Sequence, residues 1–401
     1  MIPARPTEPS SAAPWSGIAG PVLSLWVLWL VPSLGQLVKV TDLAGAVALA
    51  IVALAGLCLL LLAARSQRLR PTRAWFLALC AVAVALFAVL YPLATSGRFG
   101  GGSDRDDALN DALRSLVAGH YPYAAMTYLG NPPTPMPGAL LLARPFQFLG
   151  NAALQNLFWV PAFLLWCRTH FREPATAWIA GLVVVVVAPQ ALDDFVVGGD
   201  FLVNALYVAI VTDWCIRTQR GERSLARACS AILLAVAVSS RPIYAVSLVI
   251  VAGHVWQVHG AARCLRLSAV CGVVVLALNL PFYLHDPTRF PTAHVLGKLD
   301  AQPGAALVKI MLPALGLAVA ALASRWRLAA ERPLDLLALS LAVMLYPPFL
   351  IEALGGVPLR TWMWTASFSL PVTVLGTLAV LHRFERQLSS RISPAASWRP
   401  S

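Results

Sequence analysis

The feature that most constrains this chain is a succession of apolar stretches, each close to the length that crosses a bilayer. About 20 residues of helix span a hydrocarbon layer, and runs of that order open at 17–38, 43–64 and 74–95. After a polar stretch at 96–135, further runs lie at 136–167, 175–189, 201–216, 226–239, 243–258, 267–284, 305–323, 334–351 and 362–381. Several fall short of a full span. Runs of about 14 to 16 residues point to bent or discontinuous helices around a protein-enclosed cavity, because broken backbone is tolerated at membrane depth only there. The run at 17–38 is too long for the apolar core of a signal peptide and has no clear cleavage site, so it reads as a retained helix.

Composition leads to the same solvent. The 401 residues are 59% hydrophobic and 12% charged, against roughly 45 to 50% and 25% in soluble domains. So little polar surface excludes a soluble enzyme, a disordered chain and a coiled coil. The net charge of +12 is spread singly and in short clusters between apolar blocks, whereas a nucleic-acid reader groups its cations on one face. The seven cysteines show no CxxC or His/Cys ligand spacing and read as small hydrophobes, with no metal site and no disulfide framework.

Arginine in short loops sets orientation. Arg65, Arg68, Arg70 and Arg73, then Arg168 and Arg172, then Arg217, Arg220, Arg223 and Arg227 mark cytoplasmic connections. So do Arg263 with Arg266, Arg325 with Arg327 and Arg332, and a tail with Arg383, Arg386, Arg391 and Arg399. These alternate correctly if 136–167 makes one net crossing. The expected fold is all-α and polytopic, with about 12 crossings (11 to 13) and both termini inside. Residues 1–16 and 389–401 are expected to be disordered cytoplasmic tails, flanking a transmembrane domain at 17–388 whose first long outer loop is 96–135. On the opposite side fall Asp42, Asp104, Asp106, Asp107, Asp111, Asp193, Asp194, Asp200, Asp286, Asp300 and Glu352, eleven of the eighteen acids.

The outer loop holds the chemistry-bearing pattern. Ser103 can cap a helix and Gly119 can end it. Between them Leu109, Ala112, Leu113, Leu116 and Val117 form an apolar stripe, so a helix of about four turns is expected in the outer interface. Its first turn carries Asp104, Asp106 and Asp107. Acids there are common for dipole reasons alone. A lone Asp104-x-Asp106 pair is a weak signal for a divalent ion.

The loop GGSDRDDALNDALRSLVAGHYPYAAMTYLGNPPTPMPGALLLARPF, with its acids at the head of an outer helix, GHYPY after it and a Pro-rich return to the membrane, resembles the first outer loop of the C-type glycosyltransferase superfamily. The nearest likeness within it is to bacterial polyprenol-phosphate mannosyltransferase-like proteins. Asp104, Asp106 or Asp107 stands at the acidic position, Gly119, Tyr121 and Tyr123 match the middle, and Pro132 to Pro145 the return. GGDFLVNAL from Gly198 and SSRP from Ser239 are similar to later elements of such proteins. The likeness covers roughly 50 residues. The chain departs from the superfamily in placing three apparent helices, rather than one, before this loop.

The resemblance implies an inverting transfer from a polyprenyl-phosphate sugar to a lipid or glycan acceptor at the outer face of a bacterial inner membrane. One of the three aspartates would be the general base, a step that contributes roughly a hundred- to ten-thousandfold. An outer cation must steady the leaving phosphate. Arg241, beside Pro242 at an outer turn, is the first candidate, with Arg360 and Arg289 as alternatives, and Lys298 and His294 able to act similarly. Arg144, which interrupts an apolar segment, is expected to face a polar cavity. Asp200 is a candidate to orient the acceptor, with Tyr121, Tyr123 and Asn131 as substrate contacts. Tyr128, Trp362 and Trp364 offer stacking faces, although interfacial aromatics are routine. No cofactor is implied. The competing expectation is a transporter or flippase, which would place ionisable residues at mid-membrane in matched halves; the acids here lie at one surface and no internal repeat is evident.

Overall fold

In the computed structural model the described residues are 17–96, 103–300, 307–325, 332–356, 358 and 368–392, and among them every regular element is helical. Three long helices open the chain: α1 (Ala19–Val40), α2 (Leu43–Arg65) and α3 (Arg73–Thr95). A short helix α4 (Arg105–Val117) follows, then α5 (Pro137–Phe148), α6 (Gln155–His170), α7 (Pro174–Leu182), α8 (Pro189–Val196) and α9 (Phe201–Gln219). The remainder comprises α10 (Ser224–Val238), α11 (Ala245–His259), α12 (Ala261–His285), α13 (Pro291–Asp300), α14 (Leu312–Arg325), α15 (Pro333–Leu354) and α16 (Leu370–Ile392).

Seven described helices are long and apolar enough to cross a membrane, or up to nine if each of two bent pairs counts as one span. Burial separates the centre from the rim. In α9, 78% of the spanning window is buried, against 22% in α2 and α3 and 11% in α12. On α2 the residues Ala46, Ala50, Leu57, Leu61 and Ala64 pack inward while Leu43, Val47, Ile51, Val52 and Leu59 stay exposed. A helix apolar all round that leaves such a face bare is solvated by lipid. The fold is a membrane-embedded bundle built on α9, which packs against α6, α10, α11 and α16.

The two bends have local causes. α5 and α6 meet at 100°, across Gly150 at φ +109° and Asn151, whose side chain caps the next turn by accepting from Ala153 N at 2.8 Å. Glycine takes this positive φ without a Cβ penalty. α7 and α8 meet at 65° after a π-helical turn at Val183–Val187, where Ala188 is extended before Pro189, the first residue of α8. A residue ahead of proline is driven out of helical geometry.

α5 does not penetrate the bundle. Its start is fastened to the turn after α10, with Met136 N and Gly138 N donating to Ser240 O at 3.2 Å and Ser239 O at 3.0 Å. A Cβ on Gly138 would lie 2.2 Å from Val236 O, so only glycine permits this approach. The far end of α5, at Asn151, bonds to α4 and α3. The ends of α3 and α10 and the starts of α4 and α9 meet on the same side, so α5 lies across one end of the bundle, called here the α4 face.

α4 itself differs from the helix expected. Its N-cap is Asp104, not Ser103, and the Asp104 carboxylate makes no cap bond because it is turned toward Thr127 and Asn131. The helix ends as expected at Gly119, φ +77°, with His120 N donating to Ser115 O and Gly119 N to Leu116 O. That pair of bonds satisfies carbonyls which a helix end leaves open. The apolar stripe, expected in the lipid interface, is mostly inside protein. Leu109, Ala112 and Leu113 are buried in a small core with Tyr123, Met136, Leu140, Ala143, Ala152 and Phe290, leaving Leu116 and Val117 exposed. Burying each leucine contributes roughly 1.5–3 kcal/mol, which fastens α4 to α5.

Candidate functional site

Three aspartates in and before the first turn of α4 meet three different surroundings. Asp104 Oδ2 accepts from Thr127 Oγ1 at 2.6 Å and Asn131 Nδ2 at 2.8 Å, tying the helix start to the loop behind it. Asp106, 5% exposed, accepts from the Tyr91 hydroxyl of α3 at 2.6 Å. The Tyr91 oxygen in turn accepts from Asn151 Nδ2 at 2.6 Å, and Asn151 Oδ1 accepts from Asn110 Nδ2 at 2.9 Å. Asn110 closes the chain by accepting from Ala152 N at 2.9 Å. α3, α4 and the α5–α6 turn are thus joined by one polar network.

Asp107 is the exception. It is half-buried, and among the described residues no hydrogen bond reaches its carboxylate. It lines a cleft of about 340 Å³ together with Tyr91, Thr95, Ser103, Asp106, Asn110, Arg114, Tyr128, Gly150 and Asn151. Burial, reinforced by the neighbouring Asp111 carboxylate and opposed by Arg114, raises the Asp107 carboxyl above its ordinary range. Burial also raises Asp106, with the Tyr91 hydrogen bond pulling the other way and the Asp107 charge adding to the rise. An ionisable group displaced toward neutral pH in a cleft is equipped for proton transfer.

The GGD segment is packed hard against this site. Gly198, φ +70°, sits where a Cβ would lie 2.8 Å from the Tyr91 ring and 3.1 Å from Asp106 Cβ, and a Cβ on Gly199 would lie 2.3 Å from Asp194 Oδ1. Asp193 and Asp194 belong to α8; Asp194 is fully buried, accepts from Leu202 N at 2.8 Å and pairs with Arg105 at 2.7 Å.

Asp200 and Arg241 meet each other. The Arg241 Nη2 group lies 2.7 Å from both Asp200 oxygens, and the residues are 3% and 5% exposed. Phe201 covers the guanidinium at 3.9 Å, Asn204 donates to Asp200 at 3.0 Å, and Thr134 lies 3.5 Å from Arg241 Nη1. A buried pair of this kind must regain in mutual attraction what both ions lose in hydration.

The other expected residues divide in the same way. The Tyr121 hydroxyl donates toward carbonyls at the end of α12, Phe282 O at 3.0 Å and that of the following residue, Asp286 O, at 3.1 Å. Burial and the Asp286 charge, opposed by Arg289, push this phenol up to about 12. Tyr123 is 1% exposed within the α4 core, so neither tyrosine lines the cleft. Asn131 acts through Asp104. Arg144 lies on α5 with its guanidinium 3.6 Å from the Phe148 ring centre and bonded to Gln147, and no carboxylate pairs with it among the described residues. Arg289 pairs with Asp286 at 3.6 Å. Arg360, Trp362 and Trp364 lie outside the described residues.

Sequence reasoning missed Tyr91, Asn110, Asn151 and the Arg105–Asp194 pair. A helix-terminal Tyr-Pro and an Asn after Gly are the signals that were present, and both also occur as ordinary helix punctuation. Among the described residues no three His, Cys, Asp or Glu side chains gather as a metal site, and all seven cysteines are free. No family model matches the chain, and neither a curated protein nor a solved structure matches it.

Proposed function

We propose that this chain is an integral membrane glycosyltransferase that moves a sugar from a polyprenyl-phosphate donor to a lipid or glycan acceptor, with inversion at the anomeric carbon. The supporting observation is the polar cleft at the end of an otherwise apolar bundle, with the half-buried Asp107 carboxylate on its wall free of described hydrogen bonds.

Asp107 is the general base. It takes the proton of the acceptor hydroxyl as that oxygen bonds to the anomeric carbon, and the bond from that carbon to the phosphate oxygen breaks with its electrons leaving on the phosphate. Asp106 and Asp104 are held by Tyr91 and by Thr127 with Asn131, and they position the helix rather than accept the proton. Arg144 is the cation for the leaving phosphate. It stands on a helix whose Leu141 and Phe148, with Leu149 just after it, are exposed, so an acyl chain and a phosphate can be met side by side. Arg241 is committed to Asp200.

The chain crosses the membrane twelve times in this proposal: seven long helices, two bent pairs, and α10, α15 and α16. Every arginine-rich connection then lies on the cytoplasmic side with both termini, and the α4 face is extracytoplasmic at a bacterial inner membrane. The test replaces Asp104, Asp106 and Asp107 singly by Asn in purified, reconstituted protein supplied with a polyprenyl-phosphate sugar. Loss of transfer confined to D107N while all three insert and stay monodisperse supports the assignment. Full activity in D107N refutes it.

A further inference from the structure

The wall of the cleft beside Asp107 carries two side-chain amides, Asn110 and Asn151. Asn110, 9% exposed, uses its carbonyl on Ala152 N and one amide hydrogen on Asn151, while Asn151 gives one amide hydrogen to Tyr91. A primary amide carries two such hydrogens, and the second of each meets no acceptor among the described residues. Asp107 supplies acceptor oxygens. Tyr128, 62% exposed, sets an aromatic ring at the rim. The cation among the described lining residues is Arg114, whose side chain is 63% exposed and is paired with Asp111.

This inventory matches a ring that gives hydroxyl hydrogens to a carboxylate, receives hydrogen bonds from amides and presents a C–H face to an aromatic surface. A ligand with its own carboxylate or phosphate would bring a like charge against Asp106 and Asp107 where water is partly excluded and the nearest cation is already engaged. We infer that the cleft is a subsite for an uncharged pyranose and that it discriminates against sugars bearing an anionic group. Its role as acceptor subsite rests on the transferase proposal; the charge selection does not.

The experiment is saturation-transfer NMR on the full chain in nanodiscs free of glycoside detergent at pH 7, with a methyl hexopyranoside and the corresponding methyl uronide as probes. The hexoside is expected to receive saturation and the uronide to bind at least tenfold more weakly. D107N narrows that gap by raising uronide binding severalfold, and Y128A weakens hexoside binding at least threefold. Uronide binding equal to or tighter than that of the hexoside, no saturation of the hexoside, or a preference unmoved by D107N overturns the inference. Discrimination without any sugar transfer would remove the transferase proposal and keep this subsite. Transfer to a lipid acceptor without discrimination would do the reverse.

Discussion

Two carboxylates near helix starts on the α4 face, Asp107 of α4 and Asp200 at the head of α9, have opposite fates. Asp200 is 3% exposed and held by both Arg241 and Asn204. Asp107 is half-buried in a cleft without a described hydrogen bond. A buried carboxylate held by a guanidinium and an amide is costly to protonate, because taking up a proton means breaking the pair. One on a cleft wall, raised by burial and by a neighbouring acid, is free to exchange protons with whatever occupies the cleft. The contrast separates a carboxylate locked in a buried ion pair from one that faces the cleft.

The largest effect expected is on activity. D107N should lower sugar transfer by about a hundred- to ten-thousandfold, the contribution of a general base, without altering elution on size exclusion. D200N should lower activity only through stability. Next in size, R241A leaves the Asp200 charge buried and unpaired, which costs about 3–5 kcal/mol and is read as a lowered Tm in detergent. Replacing Asp200 and Arg241 together by apolar residues of similar volume should recover most of that loss. Equal melting of R241A and wild type would erase the distinction between the two carboxylates.

G138A is smaller in scale. Its Cβ meets Val236 O at 2.2 Å and the Ser239 carbonyl carbon at 2.6 Å, so α5 must lift from α10 at a cost of about 1–3 kcal/mol, with a matching fall in Tm. The smallest effect is a pH-dependent one. Because folding raises the Asp107 carboxyl, the ionised form is disfavoured in the native state, and the stability this costs appears as pH rises through the folded value. D107N should therefore melt slightly higher than wild type at pH 7. The difference should vanish below the unfolded value of about 3.9, where the wild-type group is protonated in both states. Transfer by wild type should fall as pH drops through the same raised value.

Much of the fold was legible in the sequence because its signals are local. Run length gives the helices and Gly119 the end of α4. The position of α5 across the α4 face was not legible, since it depends on Gly138 meeting the end of α10, a contact between segments about 100 residues apart. The candidate site was half legible. The acids of the 104–107 segment stood out by type and place, but the choice among them turns on Tyr91, Thr127 and Asn131, which periodicity does not connect to α4. Arg241 and Asp200 each read as ligand-binding for sound chemical reasons. The structure joins them in one buried ion pair across 41 residues, and no spacing rule announces that pairing.

The most direct measurement of the central claim is sided sugar transfer in proteoliposomes whose orientation is read by an impermeant thiol reagent at cysteines placed on the exposed Ala118 and His120, which do not line the cleft. Donor polyprenyl-phosphate sugar and acceptor are supplied to one side at a time. Product is expected when the substrates are on the side where both cysteines react, and D107N should form at least a hundredfold less. Transfer from the opposite side, or undiminished transfer by D107N, would contradict an active cleft built around Asp107 on the α4 face.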